Sequence, residues 1–261
     1  MRSAERFSNA IIPNLVNSQF HYRSVLETNV KDGERWLDVG CGHDIIPAWI
    51  PGSREWQQSM AKRALLLVGI DADYPSIAVH GQLKHKVVGT VHPLPFQDAS
   101  FSLITLNMVA EHLSDPEPAF REFHRVLRNN GRLIFHTPNK LSYRVLSASM
   151  IPQSIKLKLI KFFEARDSHD VFPTFYSVNT KPRIEAIARG AGFEVEEIRF
   201  EETTPVASAL GPLVLPEILF LRILRFEIFN KFRGDIIAIL RKPEHTITDS
   251  KNGSGFSMKV A

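Results

Sequence analysis

Short apolar runs that stop at small or polar residues alternate with amphipathic stretches along most of this 261-residue chain. Trp36-Leu37-Asp38-Val39 is the first run, and it stops at Gly40-Cys41-Gly42. It predicts a buried strand and a tight turn. Leu65 to Ile70 ends in Asp71, and Lys86 to Val91 is a weaker third run. Phe101 to Leu106 ends at Asn107, and Arg132 to Phe135 ends at His136-Thr137-Pro138-Asn139. Strands over Glu194–Phe200 and Asp235–Leu240 close the series. Helical spacing fills several of the gaps. Ala119, Phe120, Phe123, Val126 and Leu127 recur on one face between Pro116 and Leu127, with Ser114 or Asp115 placed to cap the start and Gly131 after the end. Lys181 to Ala191 predicts another helix, with Ile184, Ile187 and Ala188 on one face. Residues 4–30 read as helical, with Phe20, Tyr22, Val25 and Leu26 as buried candidates. Strands alternating with helices predict an α/β fold, a parallel sheet with helices on both faces. Ligands of such sheets bind outside the carboxyl ends of the strands.

Composition narrows the class. With 44% hydrophobic and 23% charged residues the chain reads as an ordinary soluble globular protein. We expect one domain over 1–244, an N-terminal helical region at 4–30, inserts at 141–178 and 201–233, and a mobile polar tail at 245–261. The lone Cys41 excludes an intramolecular disulfide and a Cys-rich zinc site. The net charge of +4 is too mild to announce a nucleic-acid binder. The start, MRSAERFSNA, has no apolar signal core, and the expected location is cytoplasmic. The uncharged stretch Thr203–Pro216 has 14 residues. That is short of the roughly 20 that span a bilayer.

The turn after the first run carries the strongest chemical signal. Glycines at 40 and 42 let backbone pass close to a ligand. Asp38 can accept a hydrogen bond from an ammonium group or from loop amides. Asp71, at the end of the second run, can accept from both hydroxyls of a ribose; a loop carboxylate or the cap of a helix beginning near Tyr74 is the plainer alternative. The position that would complete a dinucleotide glycine motif is Ile45, and no Walker loop occurs. A ribose-containing cofactor without a pyrophosphate therefore fits best.

Leu37-Asp38-Val39-Gly40-Cys41-Gly42 resembles the first motif of class I S-adenosylmethionine-dependent methyltransferases. Leu94-Pro95-Phe96, Ser100-Phe101, Glu111-His112-Leu113, Arg125-Val126-Leu127, Gly131 and Thr137-Pro138-Asn139 follow in that family's order and spacing. The similarity is to the small-molecule, type 11 branch. It implies a Rossmann-like, doubly wound sheet of seven strands, mostly parallel with an antiparallel last strand, and S-adenosyl-L-methionine as cofactor. It also implies roles. Asp38, Gly40 and Gly42 would border the methionine part, with Cys41 a small side chain packed under the turn. Asp71 would hold the ribose, Ala72 and Asp73 would lie beside the adenine, and Thr90 and Val91 near its amino group. Asn107 and Met108 would run along the methionine side. Thr90 stands where the family usually has Asp, and Ser102 where it usually has another Asp.

Glu111 and His112 are the candidate catalytic pair, since a general base helps when the acceptor is a hydroxyl. The alternative is that His112 packs and Glu111 caps a backbone amide; His136 is a weaker candidate base. Relatives with a metal site carry a Glu three residues before this pair. Met108 stands there, so no metal is expected. The resemblance implies O-methylation of a small molecule such as a sugar or lipid-linked precursor. N- or C-methylation, and a non-catalytic cofactor-binding scaffold, remain as rivals. Asn107-Met108-Val109-Ala110 disfavours methylation of exocyclic base nitrogens. Residues 155–163 are basic and apolar, and 213–232 are densely apolar with interspersed Arg and Lys. A lid, a dimer face, peripheral membrane contact through 213–232, or cover helices of the core are all open readings.

Overall fold

A computed structural model describes residues 11–12, 15–150, 172–205 and 214–244. The expected tail at 245–261, residues 4–10 of the expected helical region, and the middles of both inserts (151–171 and 206–213) lie outside the described residues.

The elements run α1 (Ser18–Asn29), β1 (Arg35–Val39), α2 (Ser53–Arg63), β2 (Leu66–Asp71), α3 (Tyr74–Val79), β3 (His85–Val88), β4 (Phe101–Asn107), a 3-10 turn (Ala110–His112), α4 (Pro116–Val126) and β5 (Leu127–Pro138). After these come α5 (Tyr143–Met150), α6 (Lys181–Gly190), β6 (Glu194–Glu201), α7 (Leu215–Leu224), a 3-10 turn (Glu227–Phe232) and β7 (Asp235–Arg241). The seven strands form one sheet in the order β3-β2-β1-β4-β5-β7-β6. It is parallel except for β7, which runs antiparallel to both β5 and β6.

Strand alternation sorts the core into two layers. Leu37, Val39, Leu133 and Phe135 face α4 and α6, where Phe120, Phe123, Ile184 and Ile187 are buried. Trp36, Leu103, Ile134 and Ile237 face the other way, onto Tyr22 and Leu26 of α1 and Trp56 and Met60 of α2. Each such large side chain contributes about 1.5–3 kcal/mol by burial. A satellite cluster joins Ile12 and Leu15 to Ile218, Leu221 and Leu224 of α7.

Several boundaries differ from expectation, each for a visible reason. Among the described residues, helix α1 starts at Ser18, where Asn17 caps it, its side chain accepting from the Gln19 amide. The third strand stops at Val88, three residues early. Gly89 N donates to Asp71 O at 2.9 Å, and the chain then leaves the sheet, so Thr90 and Val91 lie in a loop. β5 begins at Leu127, five residues early, across a bulge that Asn130 absorbs at φ +62°. Its exposed Arg128-Asn129-Asn130 hid this in the apolar pattern. Helix α2 had no expectation at all, since Trp56 and Met60 are its only large buried residues. Arg125 shows why its motif pairs with Leu94-Pro95-Phe96. Its guanidinium donates to Phe96 O at 2.8 Å and Leu94 O at 3.1 Å, and Glu122 beside it accepts from Leu94 N at 2.8 Å. α4 thereby pins the loop between β3 and β4.

Candidate active site

The strand order reverses direction between β1 and β4, which opens a crevice at their carboxyl ends. The turn after β1 hugs the neighbouring strand: Gly40 N and Cys41 N donate to Ile70 O at 2.8 and 3.3 Å. Gly40 has φ +62°, and a Cβ there would lie 2.3 Å from Val109 Cγ2. Gly42 has φ +48°, but a Cβ there would meet nothing within 4 Å, because the residue borders open cavity. Asp71 fastens this turn. Its Oδ2 accepts from Gly42 N and its Oδ1 from Asp73 N, both at 2.8 Å. Asp73 in turn caps α3, accepting from Ser76 N at 3.2 Å.

The cavity over this edge has a volume of about 600 Å³. Its floor is Gly40, Gly42 and His43. Asp71, Ala72 and Asp73 form one wall, with Thr90 and Val91 beside them. Met108, Val109 and His112 form the opposite wall, under Phe172, Pro173 and Phe175. The sequence reading missed Val109 and did not place the aromatic roof over this cavity.

Four of the expected site residues do not line the cavity. Asp38 is buried behind the turn, accepting from Thr105 Oγ1 at 2.6 Å; that hydroxyl accepts from Trp36 Nε1 at 2.7 Å. Burial pushes the Asp38 carboxyl up to about 7, against the bond from Thr105. Cys41 is packed beneath, so close that a Cβ on Gly69 would sit 2.7 Å from its Sγ. Burial, with Asp38 and Asp71 nearby, drives its thiol well up, away from the reactive thiolate. Asn107 is engaged by α1. Its amide and that of Gln19 bond reciprocally at 3.0 and 3.1 Å, and its Nδ2 also donates to Ile45 O at 3.2 Å. Glu111 is buried and accepts from Thr137 Oγ1 at 2.9 Å, and Thr137 accepts from Asn179 Nδ2 at 2.7 Å. Burial raises the Glu111 carboxyl. Its backbone carbonyl accepts from Phe175 N at 2.8 Å and Tyr176 N at 3.2 Å, which fastens the aromatic roof. Gln19 carried no signal of its own. Thr105 did: a hydroxyl in the middle of a buried strand needs a partner.

Two imidazoles line the cavity, His43 and His112, and His112 is the one from the expected catalytic pair. Its Nδ1 lies 2.8 Å from Pro173 O. A carbonyl only accepts, so Nδ1 carries the hydrogen and Nε2 keeps a lone pair. Nε2 stands 4.0 Å from Glu111 Oε1. His136, by contrast, is fully buried away from the cavity, stacked on Tyr22 with ring centroids 5.3 Å apart. It bonds Asn107 Oδ1 through Nδ1 at 3.0 Å and faces Asp235 at 3.7 Å. Burial pushes the Asp235 carboxyl up, but the neighbouring His136 ring and the bond from Ser18 outweigh it and hold the group below its ordinary value. Among the described residues, no group of three or more His, Cys, Asp or Glu could hold a metal ion.

Residues 37–135, from β1 through most of β5, match the methyltransferase domain family. That stretch is similar to a methyltransferase domain, and the sheet around it has the class I strand order. The chain is 29% identical over 132 residues to a malonyl-[acyl-carrier protein] O-methyltransferase of Erwinia billingiae, covering 51% of this chain and 50% of that protein. It is 28% identical over 174 residues to a ubiquinone biosynthesis O-methyltransferase of Pseudomonas syringae pv. tomato, covering 64% of this chain and 67% of that protein. The chain thus spans about half the length of the first relative and two thirds of the second. Its fold is similar to that of an S-adenosylmethionine dependent methyltransferase from Mesorhizobium loti, with TM-score 0.53 at 15% identity, covering 86% of this chain and 97% of that one. The residues present fit an adenosyl cofactor. Gly42 leaves open the space a Cβ would fill, and the Asp71 carboxylate retains lone pairs beyond its two loop bonds.

Proposed function

We propose that the protein transfers the methyl group of S-adenosylmethionine to a hydroxyl of a small molecule, and that His112 is the general base. One observation carries this reading: His112 lines the same cavity as Gly42, Asp71 and Thr90, with its Nδ1 engaged by Pro173 O. When bound, S-adenosylmethionine supplies a methyl group already activated on a sulfonium sulfur. Gly40, Gly42 and Met108 would border its methionine part, Asp71 its ribose, and Ala72, Asp73, Thr90 and Val91 its adenine. Asp38, Cys41 and Asn107 would act from behind, by holding the turn and the end of β4 in place.

The chain then has one chemical task beyond positioning, which is to take a proton. As the acceptor oxygen takes the methyl group that the cofactor would supply, its proton would pass to His112 Nε2. Pro173 O holds the ring in the tautomer that can accept it, and the Glu111 carboxyl at 4.0 Å favours the resulting imidazolium. The aromatic roof of Phe172 and Phe175 suits an acceptor with an apolar part. A sugar or lipid-linked precursor fits that requirement, and both curated relatives are named as O-methyltransferases.

Calorimetric titration with S-adenosylhomocysteine, combined with turnover on a hydroxyl-acceptor panel, tests the reading. Asp71→Ala is expected to weaken binding about 10- to 100-fold, as loss of charged hydrogen bonds does. His112→Asn is expected to bind normally and turn over roughly 10²–10⁴-fold more slowly. Unchanged turnover in His112→Asn refutes the base, and absence of binding by the parent chain refutes the cofactor.

A further inference from the structure

Helix α7 bears large apolar side chains on its exposed face as well as on its buried one. One face packs Ile218, Leu221 and Leu224 onto Ile12 and Leu15. The opposite face presents Leu219, Phe220 and Ile223 to solvent. The residues that follow continue this surface, with Phe226 65% and Ile228 76% exposed. A surface helix in water carries polar side chains on its outer face; one that is apolar all round belongs in a core or a non-aqueous medium. Scattered exposed apolar residues are ordinary, but a contiguous set marks an interaction surface.

Charge selects the occupant. From Pro216 to Arg233 the chain carries four cations and two carboxylates. Both carboxylates are engaged: Glu217 accepts from the Tyr143 hydroxyl, and Glu227 lies 3.4 Å from Arg233 and accepts from Asn230. Arg222 and Lys231 have no ion pair among the described residues. Apolar side chains interspersed with unneutralised cations complement a bilayer with anionic headgroups. A second copy of this chain would bring the same positive excess to a shared face.

Position matters as well. Asp235 opens β7 opposite Pro138, the last residue of β5. Asn139 Nδ2 donates to Lys231 O and Arg233 O, both at 2.8 Å. The 227–233 turn is therefore fastened at the carboxyl edge of the sheet, the edge that bears the cavity. We propose that α7 and the turn after it dock the protein onto a lipid bilayer bearing anionic headgroups. Docking stands independently of the proposed reaction; that the acceptor is lipid-linked rests on both.

The test is flotation of the full chain with vesicles of phosphatidylcholine, alone or mixed with phosphatidylglycerol. The parent chain is expected to float with the anionic vesicles, and less so at high salt. Phe226→Ser with Ile228→Ser should reduce partitioning at least about tenfold. Arg222→Glu with Lys231→Glu should remove the preference for phosphatidylglycerol, at about fivefold per cation. Both double variants should keep the parent's thermal midpoint and S-adenosylhomocysteine affinity, which separates docking from folding and from the cofactor site. No flotation with either vesicle overturns the proposal, as do folded variants that float like the parent. So does a concentration-dependent dimer broken by Phe226→Ser in a chain that does not float.

Discussion

Two glycines two residues apart should fail in different ways. Both hold left-handed backbone, at φ +62° for Gly40 and +48° for Gly42, so alanine at either costs about 1–2 kcal/mol of strain. The side-chain environments diverge. At Gly40 the new Cβ would lie 2.3, 3.0 and 3.3 Å from three carbons of Val109. Contact that close forces Val109 or the turn to move, which costs typically about 1–3 kcal/mol more. Gly40→Ala should therefore lose about 2–5 kcal/mol, and at about 2–4 °C per kcal/mol its melting temperature should fall by roughly 4–20 °C. At Gly42 the Cβ enters cavity space, so only the strain remains and the fall should stay within a few degrees. Its effect should appear instead in S-adenosylhomocysteine affinity, because the methyl enters the cavity proposed to take the cofactor. Melting curves and calorimetric titration of both variants read the two quantities separately. Adding Val109→Ala to Gly40→Ala should recover about 1–3 kcal/mol in a double-mutant cycle. Equal melting losses at the two positions, or zero coupling to Val109, would refute the reasoning.

Thr105→Val keeps the shape of the strand but removes the hydroxyl between Trp36 Nε1 and Asp38. It leaves two buried polar groups unpaired and should cost roughly 2–4 kcal/mol, measurable as a lower urea midpoint; a loss below 1 kcal/mol, on the order of a surface change, would sink the assignment. The Glu122 carboxyl is held down at about 2 from 4.5 by its Arg125 bonds, with the Leu94 amide assisting against burial. A carboxyl lowered by folding stabilises fully above its unfolded value, and the contribution drains as pH falls from 4.5 towards 2. Glu122→Gln should flatten that acid limb of the stability curve by up to about 3 kcal/mol. An acid limb identical to the parent's would show that the pair contributes nothing.

How far the sequence alone reached can be judged element by element. The apolar runs ending at Asp38-Val39, Asp71, Asn107 and His136 marked four strands within a few residues, because strands buried on both faces are written as continuous apolar segments. The helix from Pro116 to Val126 was equally legible, since its stripe of Ala119, Phe120, Phe123 and Val126 is complete within one segment. The glycine turn was legible as a tight turn, because left-handed backbone at Gly40 and Gly42 restricts those positions to very few residue types. Helix α2, with two large buried residues, and β5 before Gly131, with a polar edge, carried no such local pattern.

What the tertiary structure decided were relations across long separations in the chain. Asp38 is withdrawn from the cavity by Thr105, 67 residues away, and Asn107 is held by Gln19, 88 residues away. His112 has its tautomer set by Pro173, 61 residues on. Strand order brings these partners together, and a hydrogen bond between distant segments leaves no spacing in the sequence by which to find it. Local pattern is written by backbone geometry, one residue against its near neighbours. Which polar groups face a ligand and which satisfy one another is settled only when the sheet is assembled, since burial and pairing are properties of the packed chain.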